Sequence, residues 1–169
     1  VVLRLQKNPT SASDLAISYG ALEEEIERLF PGVRREDYTV QHVRSAVCSV
    51  RRSKLPNPAV IGNAGSFFKN PTVPREIYNR IKSSYPEVPS FSVSDNLVKI
   101  PAGWMIERCG WKGKRLMPNS DAAVHDKQAL VLVNYGAATG DEILELSRQI
   151  QTSVHEHFGV ALETEVNIC

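Results

Sequence analysis

Cysteine is scarce in this chain: Cys48, Cys109 and Cys169 are its three, about sixty residues apart and without a CxxC pair. An odd, scattered set excludes a disulfide framework and a cysteine zinc site, and points to a reducing compartment. Long apolar runs are missing too. None approaches the roughly 18 residues of a spanning helix, and no signal-peptide pattern opens the chain, so a cytoplasmic protein without a membrane partner is expected. An excess of one charge is also absent. Twenty Lys+Arg against nineteen Asp+Glu leave +1, which excludes a protein whose main work is coating nucleic acid. No internal repeat or low-complexity tract is visible.

What is present is ordinary globular material. The 169 residues are 42% hydrophobic and 23% charged, enough for a real core in one domain or one and a half. Val1-Val2-Leu3-Arg4-Leu5 opens without Met, and Val166-Asn167-Ile168-Cys169 closes without a polar tail. Both read as strand-like, and they suggest a piece of a longer protein. Residues 1–6 alternate as a strand, broken at 7–10. Residues 22–30 read as a short acidic helix. Thr39 suits the N-cap of a helix over 40–53, whose Val43, Ala46, Val47 and Val50 share one face.

Further helices are predicted over 74–84, with Ile77 and Ile81 inward, and from Pro101 to about residue 109. Strands are expected at 97–100, 128–134 and 160–168. Between the last two, Thr139-Gly140-Asp141-Glu142 opens an amphipathic helix with Ile143, Leu146, Ile150 and Val154 at helical spacing, stopped by Gly159. This strand, helix, strand unit supports an α+β fold with helices on one face of a small mixed sheet.

Three clusters have chemical potential. Gly62-Asn63-Ala64-Gly65-Ser66-Phe67-Phe68-Lys69-Asn70-Pro71 reads as a turn whose glycines permit positive φ and whose Ser66 presents a hydroxyl. It is either a strand connection with a Phe pair in the core or a ligand-contacting loop. It is neither a Walker loop, since no GK[ST] follows, nor a GxSxG elbow. Arg51, Arg52 and Lys54 crowd one helix C-terminus, either as solvated charges complementing the dipole or as a diphosphate clamp, with Lys99, Lys112, Lys114 and Arg115 as further cations. Glu163 and Glu165, two apart in a strand, face together, toward solvent or toward a site needing a carboxylate. His155 and His157 lack the i, i+4 spacing of a zinc helix, and His42 and His125 stand alone as structural residues. Trp104, Trp111 and Phe91 are expected to pack.

Taken together, Lys54-Leu55-Pro56-Asn57-Pro58, the Gly62 to Pro71 segment, Ala102-Gly103-Trp104-Met105-Ile106-Glu107 and Leu162-Glu163-Thr164-Glu165-Val166 resemble the C-terminal half of the UDP-N-acetylenolpyruvoylglucosamine reductase (MurB) family. The resemblance runs from Val2 to Leu5 and Ser18-Tyr19-Gly20 through Ala122-Ala123-Val124-His125 and residues 128–134 to Glu165. The stretch between Pro71 and Ala102 is similar to the longer subgroup of that family.

The resemblance implies a flavoenzyme of cell-wall precursor synthesis. NADPH reduces FAD, and the enolpyruvyl group of UDP-N-acetylglucosamine enolpyruvate is then reduced to give UDP-N-acetylmuramate. It further implies residues 1–54 as the tail end of an FAD-binding domain and residues 55–169 as a substrate-binding domain. Ser66 would then protonate the carbon beside the carboxylate. Glu165 would assist in its protonated form or by orienting neighbours. Lys54, Asn70 and Gln128 would hold substrate. The family's flavin-binding half, a catalytic arginine and a tyrosine loop lie upstream of Val1, so this piece alone is expected to bind no flavin and to be inactive. Asn167 stands where the family usually has Arg. A non-catalytic UDP-sugar-binding module is the alternative, in which Ser66 and Glu165 perform no chemistry.

Overall fold

The computed structural model describes Val2, Arg4, residues 15–18 and residues 21–168. The expected strand over 1–6 and its breaker at 7–10 lie almost wholly outside the described residues, as do Tyr19, Gly20 and Cys169. The chain forms two compact units, Val1–Lys54 and Leu55–Cys169.

In the first unit, α1 (Leu22–Leu29) is followed by a 3₁₀ turn at Arg35–Asp37 and by α2 (Val40–Lys54). Glu23, Glu24 and Glu25 occupy the first turn of α1, where the partial positive end of the dipole favours carboxylates. Arg28 bonds Glu25 at 2.6 Å, and this contact holds the Glu25 carboxyl down at about 2. Thr39 caps α2 as expected. The His42 backbone N–H donates to Thr39 Oγ1 at 3.4 Å, and the Thr39 N–H donates to His42 Nδ1 at 3.1 Å. Ile17, Ile26, Tyr38 and Ala46 form this unit's core.

The second unit carries two antiparallel sheets. In one, β1 (Gly62–Ser66), β6 (Val131–Asn134) and β5 (Ala122–Val124) lie in the order β1-β6-β5. In the other, β2 (Thr72–Pro74), β4 (Leu97–Lys99) and β3 (Phe91–Ser92) lie in the order β2-β4-β3. Helices α3 (Arg75–Ser84), α4 (Ala102–Arg108) and α5 (Gly140–Phe158) complete it. The α+β class is the one expected, but the strands make two antiparallel sheets in place of one small mixed sheet. Short connections between β2, α3, β3 and β4 let residues 72–99 close on themselves.

The physical logic of α5 matches the reading. Thr139 and Glu142 form a capping box, and Gly159 ends the helix at φ 69°. Leu146, Ile150 and Val154 are fully buried, Ile143 partly, against β5, β6 and α4. With Phe68, Ile100, Met105, Ile106 and Val124 they form the core of this unit, each fully buried large side chain contributing about 1.5–3 kcal/mol.

Three expectations are corrected. Residues 62–66 are a strand, not a turn: pairing with the apolar β6 outweighs the turn preference of Gly and Asn, and an irregularity between Asn63 and Ser66 absorbs it. The strand expected from 128 begins at Val131, because the Val131 N–H turns back to the Gln128 carbonyl at 3.0 Å. Residues 160–168 form no strand of their own and make one isolated bridge, Thr164 to Phe68, where a full strand was expected.

Candidate functional site

Ser66 ends β1 opposite Val131 of β6. Its place is set by what surrounds it. Gly65 adopts φ 75°, a left-handed conformation that a side chain would strain. Asn63 braces the irregular strand by accepting the Gly65 N–H at 3.1 Å and donating to the Ile61 carbonyl at 2.9 Å. Immediately after Ser66, Phe67 and Phe68 are buried at 6% and 1% exposure, their rings 5.2 Å apart. The Phe pair anchors the strand end while the Ser66 side of the chain stays exposed.

Two segments distant in sequence meet this strand end. The Phe67 N–H donates to the Leu130 carbonyl at 2.8 Å, and the Glu165 N–H donates to the Phe67 carbonyl at 2.9 Å. Glu165 is therefore bonded through its backbone to the residue next to Ser66. It is exposed, as is Asn167. Glu163 pairs with Lys69 at 3.3 Å on the same stretch, so of the two carboxylates it is Glu163 that already has a cation.

Asn70 and Gln128 converge on the start of α4. The Ala102 N–H donates to Asn70 Oδ1 at 2.9 Å, and the Leu130 N–H donates to Gln128 Oε1 at 3.4 Å. A backbone N–H can only donate, so in both carboxamides the oxygen is the atom turned to the backbone and the NH₂ group points the other way. Gly103 makes room for this. A Cβ there would lie 3.2 Å from Gln128 Oε1 and 3.3 Å from Leu130 Cγ. The sequence reading did not single out Gly103 as a site residue. Its signal was there: glycine inside a helix costs about 1 kcal/mol relative to alanine and calls for a packing reason.

Ser66, Asn70, Gln128 and Glu165 thus gather in the second unit, joined through Phe67, Leu130 and the first turn of α4. Lys54 closes α2 in the first unit, exposed beside Arg51 and Arg52. The other candidate cations have local partners. Lys112 pairs with Glu107 at 2.9 Å, Lys114 lies over the Trp111 ring, and Arg115 sits near Asp121 and over Tyr135. Lys99 is exposed.

Of the aromatics expected to pack, Trp111 is buried and Trp104 packs edge-on to Tyr85 and tilted against Phe158, but Phe91 is 55% exposed. The short β3 has no layer over that face, so the expected packing role of Phe91 is wrong. Histidines serve local structure: His42 at its cap, His157 bonded to the Tyr85 hydroxyl at 2.6 Å, His125 buried. Burial pushes the Cys109 thiol up. Among the described residues no group of three or more His, Cys, Asp or Glu is arranged to hold a metal ion, and no helix is long and apolar enough to cross a membrane.

The family model for UDP-N-acetylenolpyruvoylglucosamine reductase, C-terminal domain, matches residues 57–169. The chain belongs to this family. Proteins of that name are similar over most of its length. The one from Bacteroides fragilis is 48% identical over 151 residues, 89% of this chain and 43% of the relative. That of Pseudomonas savastanoi pv. phaseolicola is 44% identical over 168 residues, 99% and 48% respectively. That of Flavobacterium johnsoniae is 51% identical over 130 residues, 77% and 38%. The chain spans less than half the length of these reductases. Its match to the C-terminal domain includes Ser66, Asn70, Gln128 and Glu165, while Lys54 lies just before it.

Proposed function

We propose that this chain is the substrate-binding part of an enzyme that reduces UDP-N-acetylglucosamine enolpyruvate to UDP-N-acetylmuramate, with NADPH as reductant and FAD as carrier. The reaction supplies a cell-wall peptidoglycan precursor, in the cytoplasm, without a nucleic-acid or membrane partner. The observation that carries the reading is the pair of carboxamides, Asn70 and Gln128. Each has its oxygen turned to a backbone N–H and its NH₂ turned away from it, in the unit of the exposed Ser66, to whose neighbour Phe67 the Leu130 carbonyl is bonded. Two such donors and a hydroxyl suit a substrate rich in anionic oxygens, as a UDP-sugar carrying a carboxylate is.

The described residues do not fit the flavin. No Gly-rich strand-to-helix turn is present to cradle its pyrophosphate, and the first turn of α5 is already satisfied by its own capping box. The flavin pyrophosphate is assigned to the part of the enzyme outside this chain, residues 1–54 being the tail end of the domain that holds it. What these residues do concerns the substrate. Asn70 and Gln128 donate to its acceptor oxygens, and Lys54 adds a mobile positive charge for a phosphate. Once the double bond has accepted a hydride, the carbon beside the carboxylate is a strong base and takes a proton from Ser66. Toward such a base a hydroxyl needs position more than a low pKa. Glu165, whose backbone N–H donates to the carbonyl of Phe67 beside Ser66, assists this step in its protonated form or by orienting its neighbours.

The test is Ser66→Ala in the full-length parent. Flavin reduction by NADPH should proceed nearly unchanged, and reoxidation by the enolpyruvyl sugar should slow by about 10²–10⁴-fold. Equal slowing of both half-reactions would reject the proton-donor role.

A further inference from the structure

We propose that His125 is a positioning residue for Gln128, its buried ring holding the turn that aims the Gln128 NH₂ at the substrate. The proposal rests on the reading that Gln128 binds substrate.

His125 is 6% exposed at the end of β5. Its backbone N–H donates to the Val131 carbonyl at 2.9 Å, joining the two ends of the loop that carries Gln128. Its ring Nδ1 accepts the Lys127 N–H at 3.3 Å. A backbone N–H only donates, so Nδ1 is an acceptor and the ring N–H is the one at Nε2, 3.4 Å from Asp126 Oδ1. The turn is completed by the Val131 N–H to the Gln128 carbonyl at 3.0 Å and the Leu130 N–H to Gln128 Oε1 at 3.4 Å. Gln128 is thus set from two sides: Gly103, lacking a Cβ, leaves space for its carboxamide, and His125 fixes the backbone just before it.

A histidine that merely fills space would tolerate either polar replacement of similar size. One that works through Nδ1 distinguishes them, because the Oδ1 of asparagine falls near the place of Nδ1, whereas the amide of glutamine falls near that of Nε2. The experiment titrates the full-length parent with UDP-N-acetylglucosamine enolpyruvate, followed by flavin absorbance. His125→Asn, His125→Gln, Gln128→Ala and the double variant His125→Gln/Gln128→Ala are compared, each checked by thermal melting. Gln128→Ala should weaken binding about 10- to 100-fold. His125→Gln should weaken it to the same order, His125→Asn should stay within about threefold of wild type, and the double variant should bind no worse than Gln128→Ala alone. Amide exchange at Lys127 should quicken in His125→Gln and not in His125→Asn.

Equal affinities for the Asn and Gln variants, or additive losses in the double variant, would overturn the proposal while leaving the role of Gln128 standing. Wild-type affinity in Gln128→Ala would overturn both. Should His125→Gln not fold, nitrogen-15 shifts of histidine-labelled wild-type enzyme decide the matter: a protonated Nδ1 on His125 would refute it.

Discussion

At the scale of single residues, Ser66 and Lys54, the proposed proton donor and the proposed phosphate partner, are held in two different ways. Ser66 is placed by its neighbours: a left-handed Gly65, a bracing Asn63 and two buried phenylalanines leave its position little freedom. Lys54 has a long stem at the end of α2, and two arginines next to it carry the same charge. The contrast with Arg51 is therefore informative. In the full-length parent, Lys54→Ala should weaken UDP-sugar binding by about 1.5–3 kcal/mol, the worth of a charge-assisted hydrogen bond. Arg51→Ala should cost under about 0.5 kcal/mol in stability and leave binding unchanged. Substrate titrations of the two variants check this, and matched affinities would return the whole cluster to the role of solvated helix-end charge.

Among the elements, α5 is the one whose local signals agree with its packing. The Thr139 side chain accepts the Glu142 N–H at 3.3 Å and the Glu142 carboxylate accepts the Thr139 N–H at 2.8 Å. Replacing Thr139 by Ala removes the cap and should destabilise the second unit by about 0.5–2 kcal/mol in a denaturant titration. No change in the midpoint would mean that tertiary packing alone holds the helix start. β1 is the opposite case. Its composition, two glycines and an asparagine in five residues, favours a turn, and it is a strand because β6 offers a ladder beside it. The terminal segment around Glu165 has strand composition and makes only one bridge, since only the short stretch at residues 67–69 lies alongside it.

For the molecule as a whole, the two units have separate cores, one around Ile26 and one around Leu146 and Ile150. The chain spans less than half the length of its curated relatives, and the proposed function puts the flavin pyrophosphate in the remainder. The isolated chain is therefore expected to purify colourless, and adding FAD should produce no bound flavin. Retention of a stoichiometric flavin absorbance band through gel filtration would place the flavin site on these residues instead.

Local chemistry was enough to read much of this protein directly from its sequence. Helix periodicity and caps act over three or four residues, so α1, α2 and α5 were legible. The Phe pair was legible as one of two alternatives, core or part of a ligand-contacting loop, and its burial decides for the core. The motif around Ser66 marked the family through the identity of its residues. What only the tertiary structure decided concerns neighbours far apart in the chain. That residues 62–66 pair as a strand depends on β6, some seventy residues later. That Asn70 and Gln128 both present NH₂ groups depends on which backbone N–H meets each oxygen, Ala102 in one case and Leu130 in the other. That Glu165 lies beside the Ser66 strand depends on two backbone hydrogen bonds across about a hundred residues, Glu165 N–H to the Phe67 carbonyl and Lys69 N–H to the Glu163 carbonyl. Such contacts are set by loop closure and core packing, and neither leaves a periodic trace in the sequence.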